Sequence, residues 1–176
     1  VLDTAKAVAA AVTNGGDVRN LVGMLKVKQL PVPMVFVPTT AGTGSEVTIA
    51  AVISDSKTHL KKQILDTKII PEFAIFDPKL MLGLPAETRA STVMDALTHA
   101  LEAYVSTYAK PETDRYAEIA VKLIFENLPI TLREPDNLSA LENLQVASFY
   151  AGRSFTQVYI GYVHAFSHAI GGKFGV

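Results

Sequence analysis

Pro85-Ala86-Glu87-Thr88-Arg89-Ala90-Ser91-Thr92-Val93-Met94-Asp95-Ala96-Leu97-Thr98-His99 marks a change of texture in this chain. From Glu87 onward, helical periodicity runs through Glu87–Tyr108, Thr113–Asn127, Asn137–Tyr150 and Val163–Ile170, with few strand signals between them. Upstream the pattern is mixed. Asp3 is placed to cap a helix over Ala5–Val12, which Asn14-Gly15-Gly16 ends, and Asp17–Lys26 reads as a second amphipathic helix. Pro33–Pro38 is a short apolar run bounded by prolines and reads as a buried strand. Glu46–Ile53, rich in Val, Ile and Thr, reads as another, with Lys61–Leu65 pairing nearby. Phe73–Phe76 is the last strand, stopped by Asp77-Pro78. Mixed α/β followed by a run of helices predicts two domains, 1–84 and 85–176, with the boundary near residues 83–86.

Composition narrows the classes. Of 176 residues, 49% are hydrophobic, enough for a real core, and 16 basic residues nearly balance 17 acidic ones. The charges are interspersed without the basic patch that a nucleic-acid binder shows. With no cysteine there are no disulfides, thiolate metal sites or cysteine nucleophiles. Apolar runs such as Ala7 to Val12 fall far short of a membrane span, and Val1–Lys6 has no basic leader ahead of an apolar stretch. The default reading is a soluble, cytoplasmic protein. Both ends look unnatural, opening directly on a helix and closing on a glycine-rich turn, so the chain reads as a fragment.

Two pairs of residues carry metal chemistry. Asp95 and His99 stand four apart in a strongly helical segment, which puts both side chains on one face about a turn apart. His164 and His168 repeat the spacing later. Carboxylate plus imidazole suits a borderline cation such as Fe(II) or Zn(II). A lone Asp-x-x-x-His is a weak signal, and two such pairs among four histidines are a stronger one. The spacing alone does not separate a dehydrogenase from a hydrolase, nor does it make all four residues ligands.

Pro38-Thr39-Thr40-Ala41-Gly42-Thr43-Gly44-Ser45-Glu46 follows the strand that ends at Val37. Glycines there let the backbone approach a ligand closely, and the hydroxyls donate to phosphate oxygens. It lacks the Gly-Lys-Ser/Thr end of a P-loop and the spacing of the usual dinucleotide fingerprint.

Taken together, Thr39–Glu46, Met94-Asp95-Ala96-Leu97-Thr98-His99-Ala100-Leu101-Glu102-Ala103-Tyr104 and Gly161-Tyr162-Val163-His164-Ala165-Phe166-Ser167-His168 resemble the iron-containing (group III) alcohol dehydrogenase family in order and spacing. The resemblance runs the whole length. It implies part of an α/β nucleotide-binding domain followed by part of an all-helical, metal-binding domain, an arrangement like that of dehydroquinate synthase. It implies Asp95, His99 and His164 as three of four ligands of Fe2+ or Zn2+, the fourth lying in a Pro-His-Gly stretch just past Val176. His168 matches a cleft histidine that does not bind the metal, and is assigned to proton relay or substrate positioning. Thr39, Thr40 and Thr43 look like phosphate and ribose contacts, with Thr48 near the nicotinamide end. Lys61 matches a lysine that reaches the cofactor, and Leu80 and Met81 fall where the family packs the adenosine half. Val1–Lys6 continues a pyrophosphate-cradling Gly-Gly-Gly-Ser turn expected before Val1, and Asp3 is counted with the cofactor residues.

The implied activity is hydride transfer between a primary or secondary alcohol, or its aldehyde or ketone, and NAD or NADP. A zinc-dependent glycerol or diol dehydrogenase of the same fold, and a fragment without turnover of its own, are the alternatives. Homodimers are common in the family, and the expected partner is a small-molecule alcohol or aldehyde, not nucleic acid or membrane. Elsewhere, His59 sits in a polar, solvated turn. Tyr104, Tyr108, Tyr159 and Tyr162 read mainly as helix-face packing, with Tyr162, adjoining His164, also a candidate to line the cleft, and Asp114, Arg115 and Glu118 read as a solvated helix face.

Overall fold

Helix α1 (Leu2–Thr13) forms where alanines favour helix, burying Ala7, Ala10 and Ala11 in one cluster and Ala9 against Met34 and Phe36 in another. Its N-cap is Val1 rather than Asp3, which lies in the first turn with its carboxylate drawn to Ser45 and Val52. Asn14 ends the helix, its amide donating to the Ala10 carbonyl at 2.8 Å, and Gly15 and Gly16 follow with positive φ. The computed structural model describes residues 1–55 and 60–174, so the turn expected around His59 lies outside the described residues.

The second helix expected over Asp17–Lys26 does not form. Asp17 caps only a 3-10 turn, Val18–Leu21, and Gly23 (φ 112°) and Leu25 (φ 55°) carry the chain out of helical space. Gly23–Met24 is strand β1 instead, and the buried carboxylate of Asp66 accepts the Val27 N–H at 3.1 Å. The apolar run between prolines yields only Val35–Phe36 as strand β2, which pairs with β5 (Phe73–Ala74). Within Glu46–Ile53, the first residues fall in a 3-10 turn, Ser45–Val47, and strand β3 is Ala50–Ser54. β3 pairs antiparallel with β4 (Lys61–Leu65), from Ala50 opposite Leu65 to Ser54 opposite Lys61, and β1 adds to β4 in parallel.

These elements lie in one of two compact units, made of Val1–Phe36, Ser45–Phe73 and Tyr162–Val176. Its core is Ala7, Ala10, Ala11, Leu21, Val27, Ala51, Ile64 and Ile69. It also holds helix α5 (Tyr162–Phe174).

The other unit comprises Val37–Gly44 and Ala74–Gly161, with helices α2 (Ala86–Tyr104), α3 (Pro111–Arg133) and α4 (Leu138–Val158). Pro111 opens α3 with φ already set for a helix, and the Asn137 side chain caps α4 by accepting from the Ala140 N–H. α2 stops short of the expected Tyr108, while α3 runs past Asn127 and through Pro129. Val93, Ala96 and Ala100 of α2, Ala117, Ala120 and Ile124 of α3, and Leu141, Leu144, Ala147 and Ala151 of α4 form the core, where small side chains let the helices approach closely. Buried Arg89 donates to the carbonyls of Leu84 and Thr131, binding the start of α2 to the last turns of α3.

The chain is thus α/β in its first part and helical afterwards. No helix among the described residues is long and apolar enough to cross a membrane. Tyr104, Tyr108, Tyr159 and Tyr162 are exposed rather than packed into helix faces, with Tyr108 and Tyr159 meeting edge-on. Arg115 and Glu118 are exposed, whereas Asp114 is half-buried with one oxygen enclosed.

Candidate metal centre

One face of α2 is fixed in the helical core by Val93, Ala96 and Ala100. Asp95 and His99, one turn apart, set a carboxylate Oδ1 and an imidazole Nε2 3.9 Å from each other, longer than a hydrogen bond. His99 is 6% exposed, and its ring stacks on Phe155 of α4, with centroids 4.2 Å apart and planes at 21°. That contact fixes the ring plane, and hence the line along which its nitrogens point.

A turn beyond His99, buried Glu102 accepts the backbone N–H of Gly161 at 2.9 Å. A side-chain carbon on Gly161 would fall 2.9 Å from a Glu102 carboxylate oxygen, so glycine allows the approach. The chain enters α5 from that anchored residue. His164 is the one buried residue of α5, and His168 follows a turn later, the two rings edge-on with centroids 6.0 Å apart. Tyr162, Val163, Phe166 and Ile170 on the same helix are exposed.

The threonine- and glycine-rich stretch is seated on helices. A side-chain carbon on Gly42 would lie 2.7 Å from the carbonyl oxygen of Thr92 in α2. One on Gly44, which has φ +59°, would lie 2.9 Å from the Cα of Gly152 in α4. The two glycines therefore allow close packing of the loop on α2 and α4. Thr39 and Thr43 are exposed and Thr40 half-buried, so their hydroxyls flank a loop whose backbone is clamped from behind. Gln145 of α4 completes the clamp, donating to the Pro38 carbonyl at 3.2 Å.

Asp3 and Lys6 of α1 form a second polar cluster. Lys6 is fully enclosed, its Nζ donating to the Thr48 carbonyl (2.6 Å), the Thr48 hydroxyl (3.2 Å) and the Ala50 carbonyl (3.0 Å). Asp3 accepts from the Ser45 hydroxyl at 2.6 Å and the Val52 N–H at 2.8 Å. Burial pulls the Lys6 amine down to about 8, against the opposing pull of Asp3 and Glu46. Burial likewise raises the Glu46 carboxyl, its backbone hydrogen bond and Lys6 offsetting part of that. Thr48 is therefore enclosed and holds Lys6. Met81 is enclosed in the helical core, leaving Leu80 as the exposed member of that pair, and Lys61 is exposed at the start of β4.

Lys6, Glu102 and Gln145 went unremarked in the sequence. Lys6 sits a helical turn from Asp3, a spacing that could have flagged it. For Glu102 and Gln145 the partners lie 59 and 107 residues away, and nothing local announces them.

The chain is similar along nearly its whole length to known proteins. The chain is 44% identical over 172 residues to the NAD-dependent methanol dehydrogenase of Bacillus methanolicus, covering 98% of this chain and 45% of that protein. It is equally identical over the same length to the 1,3-propanediol dehydrogenase of Citrobacter freundii, covering 44% of it. Sulfoacetaldehyde reductase from Bifidobacterium kashiwanohense, solved in complex with NAD+, superposes with a TM-score of 0.92 at 36% identity, over 99% of this chain and 47% of that one. The chain thus spans less than half the length of these relatives. Residues 1–78 match the iron-containing alcohol dehydrogenase profile, and residues 89–176 match the C-terminal profile of the Fe-containing alcohol dehydrogenase family. Those two matches take in almost every residue of both units, and the chain belongs to the iron-containing alcohol dehydrogenase family.

Proposed function

We propose that the full-length protein is a metal-dependent oxidoreductase moving hydride between a primary or secondary alcohol, or its aldehyde or ketone, and NAD or NADP. The observation that carries this reading is the Asp95–His99 pair, a carboxylate oxygen and an imidazole nitrogen held 3.9 Å apart on a core-packed helix. Two ligands each about 2.0–2.1 Å from a tetrahedral ion lie about 3.3 Å apart, so a small closure of the pair suits a shared cation. An oxygen and nitrogen donor set without thiolate fits Fe(II) or Zn(II). Asp95, His99 and His164 are the proposed ligands, with residues 1–84 in the nucleotide-binding domain and 85–176 in the metal-binding domain.

When bound, the ion would act as a Lewis acid on the substrate oxygen, and the nicotinamide would take or give the hydride. Asp95 offsets part of the ion's charge. His168, one turn from His164, takes the alcohol proton at an imidazole nitrogen, or returns it during reduction. Thr39, Thr40 and Thr43 donate hydroxyls to the phosphates and ribose, Lys61 brings an exposed ammonium, and Leu80 an exposed apolar face. Asp3, Thr48 and Met81 contribute through the backbone they fix.

The relatives named for methanol and 1,3-propanediol make short alcohols and diols the first substrates to try. Metal analysis of the full-length protein, followed by nicotinamide absorbance with an alcohol panel, tests the reading. Protein that holds no divalent metal, or reduces neither nucleotide after Fe(II) or Zn(II) is restored, would refute it.

A further inference from the structure

Gln145 lies in the middle of α4 and is 1% exposed. Its amide nitrogen reaches two backbone carbonyls, that of Pro38 at 3.2 Å and that of Asp77 at 3.4 Å. Each carbonyl opens a segment. Pro38 leads into Thr39–Gly44, and Asp77 into the 3-10 turn Pro78–Met81, which the Asp77 side chain itself caps at the Lys79 N–H. In the proposed function both segments bind the dinucleotide, the first at phosphate and ribose and the second at the adenosine half, and the role of Gln145 rests on that assignment.

We propose that Gln145 is a positioning residue for the cofactor: one buried amide sets the spacing between the phosphate loop and the adenosine-side turn. The amide nitrogen has two hydrogens, one for each carbonyl. Its orientation is determined by its neighbours, because a reversed amide would face two carbonyl oxygens with a third. The far end of the phosphate loop is already seated by Gly42 on Thr92 and Gly44 on Gly152. Gln145 governs the near end, and shares that control with the neighbouring turn.

Packing alone gives no reason for an amide here. The Gln145 Oε1 is enclosed and accepts no hydrogen bond among the described residues. An unmatched buried oxygen is unfavourable, and methionine would fill similar space without one. The favourable part of the arrangement is the pair of carbonyls, which lie 39 residues apart in sequence by their numbers and meet at one nitrogen.

The test compares full-length wild type with Gln145→Glu and Gln145→Met, by titration with NADH and with AMP, alongside metal content and thermal midpoint. Glutamate keeps the shape but turns a carboxylate on two carbonyl oxygens. The NADH Kd should rise about tenfold, AMP should lose less because it offers the phosphate loop one phosphate where NADH offers two and a second ribose, and metal content should hold. Methionine should give a smaller rise, about threefold, with packing retained. An NADH Kd within about twofold of wild type in both variants would overturn the proposal, as would equal losses for AMP and NADH. So would a lowered midpoint with NADH binding unchanged below the transition, which would make Gln145 a packing residue. Wild type that binds neither NADH nor NADPH would remove the cofactor reading itself, and this inference with it.

Discussion

On α1, Asp3 and Lys6 stand three residues apart; on α2, Asp95 and His99 stand four apart, and either spacing puts an acid and a base on one helix face. The two pairs are used differently. Lys6 gives its ammonium donors to Thr48 and Ala50, and Asp3 takes the Ser45 hydroxyl and the Val52 N–H, so this pair knits α1 to the segment leading into β3. Asp95 and His99 face each other at 3.9 Å, beyond hydrogen-bond length, and the His99 ring also stacks on Phe155. Spacing on a helix therefore creates the opportunity for chemistry. Whether the pair becomes a crosslink or a ligand set depends on which distant backbone carbonyls and N–H groups arrive beside it.

The comparison breaks most visibly at His99. His99→Ala in the full-length protein should abolish metal retention, because the ligand set loses an imidazole whose orientation Phe155 fixes. Metal analysis showing full occupancy in that variant would take His99 off the ligand list and leave the α2 pair as structural as the α1 pair.

His168 sharpens the distinction between ligand and relay. His168→Ala should keep the metal and lower kcat about a hundredfold, the usual size of one general acid–base contribution. Loss of the ion on purification would show that His168 binds it, and the proton role would have to move elsewhere.

How much of the fold and the site was legible beforehand depends on the range of the forces involved. The helical second part was readable from its periodicity, with Asn137 at a helix start, although α3 opens at Pro111, two residues before the expected Thr113. Asp95 and His99 were readable because their relation is local. Asp17–Lys26 misled because its apolar spacing is helical, while Gly23 and Leu25 adopt positive φ to meet β4. Asp3 misled for a similar reason: a cap depends on the first turn alone, whereas its carboxylate is claimed by residues 42 and 49 positions away. Gly42 and Gly44 were recognisable as places of close approach, but that helices α2 and α4 press on them was not, because those helices lie far along the chain.

The α1 pair has its own signature in pH. Lys6 is lowered from 10.5 to about 8, so between those values the unfolded chain holds a proton that the folded one has released. Stability should rise with pH across that window, and Lys6 should add no pH slope below it. The gain approaches about 3 kcal/mol by linkage. Urea denaturation of full-length wild type and Lys6→Met on both sides of the window reads the difference. An identical pH slope in the two proteins would mean that the amine titrates as it does in water.

Glu102 offers the finest cut, because it shares α2 with Asp95 and His99 yet is used as Asp3 is, to accept a backbone N–H. Gly161→Ala would bring a carbon within 2.9 Å of its carboxylate, and Glu102 is too enclosed to swing freely away. The strain and the weakened hydrogen bond should cost about 1 kcal/mol, seen as a modest fall in thermal midpoint. Glu102→Gln retains an acceptor oxygen for Gly161 and should cost less still. Metal content is the deciding measurement for both. If Glu102→Gln sheds the ion while the fold holds, Glu102 acts on the metal side of the comparison, and the boundary between crosslink and ligand set on α2 falls a turn later than His99.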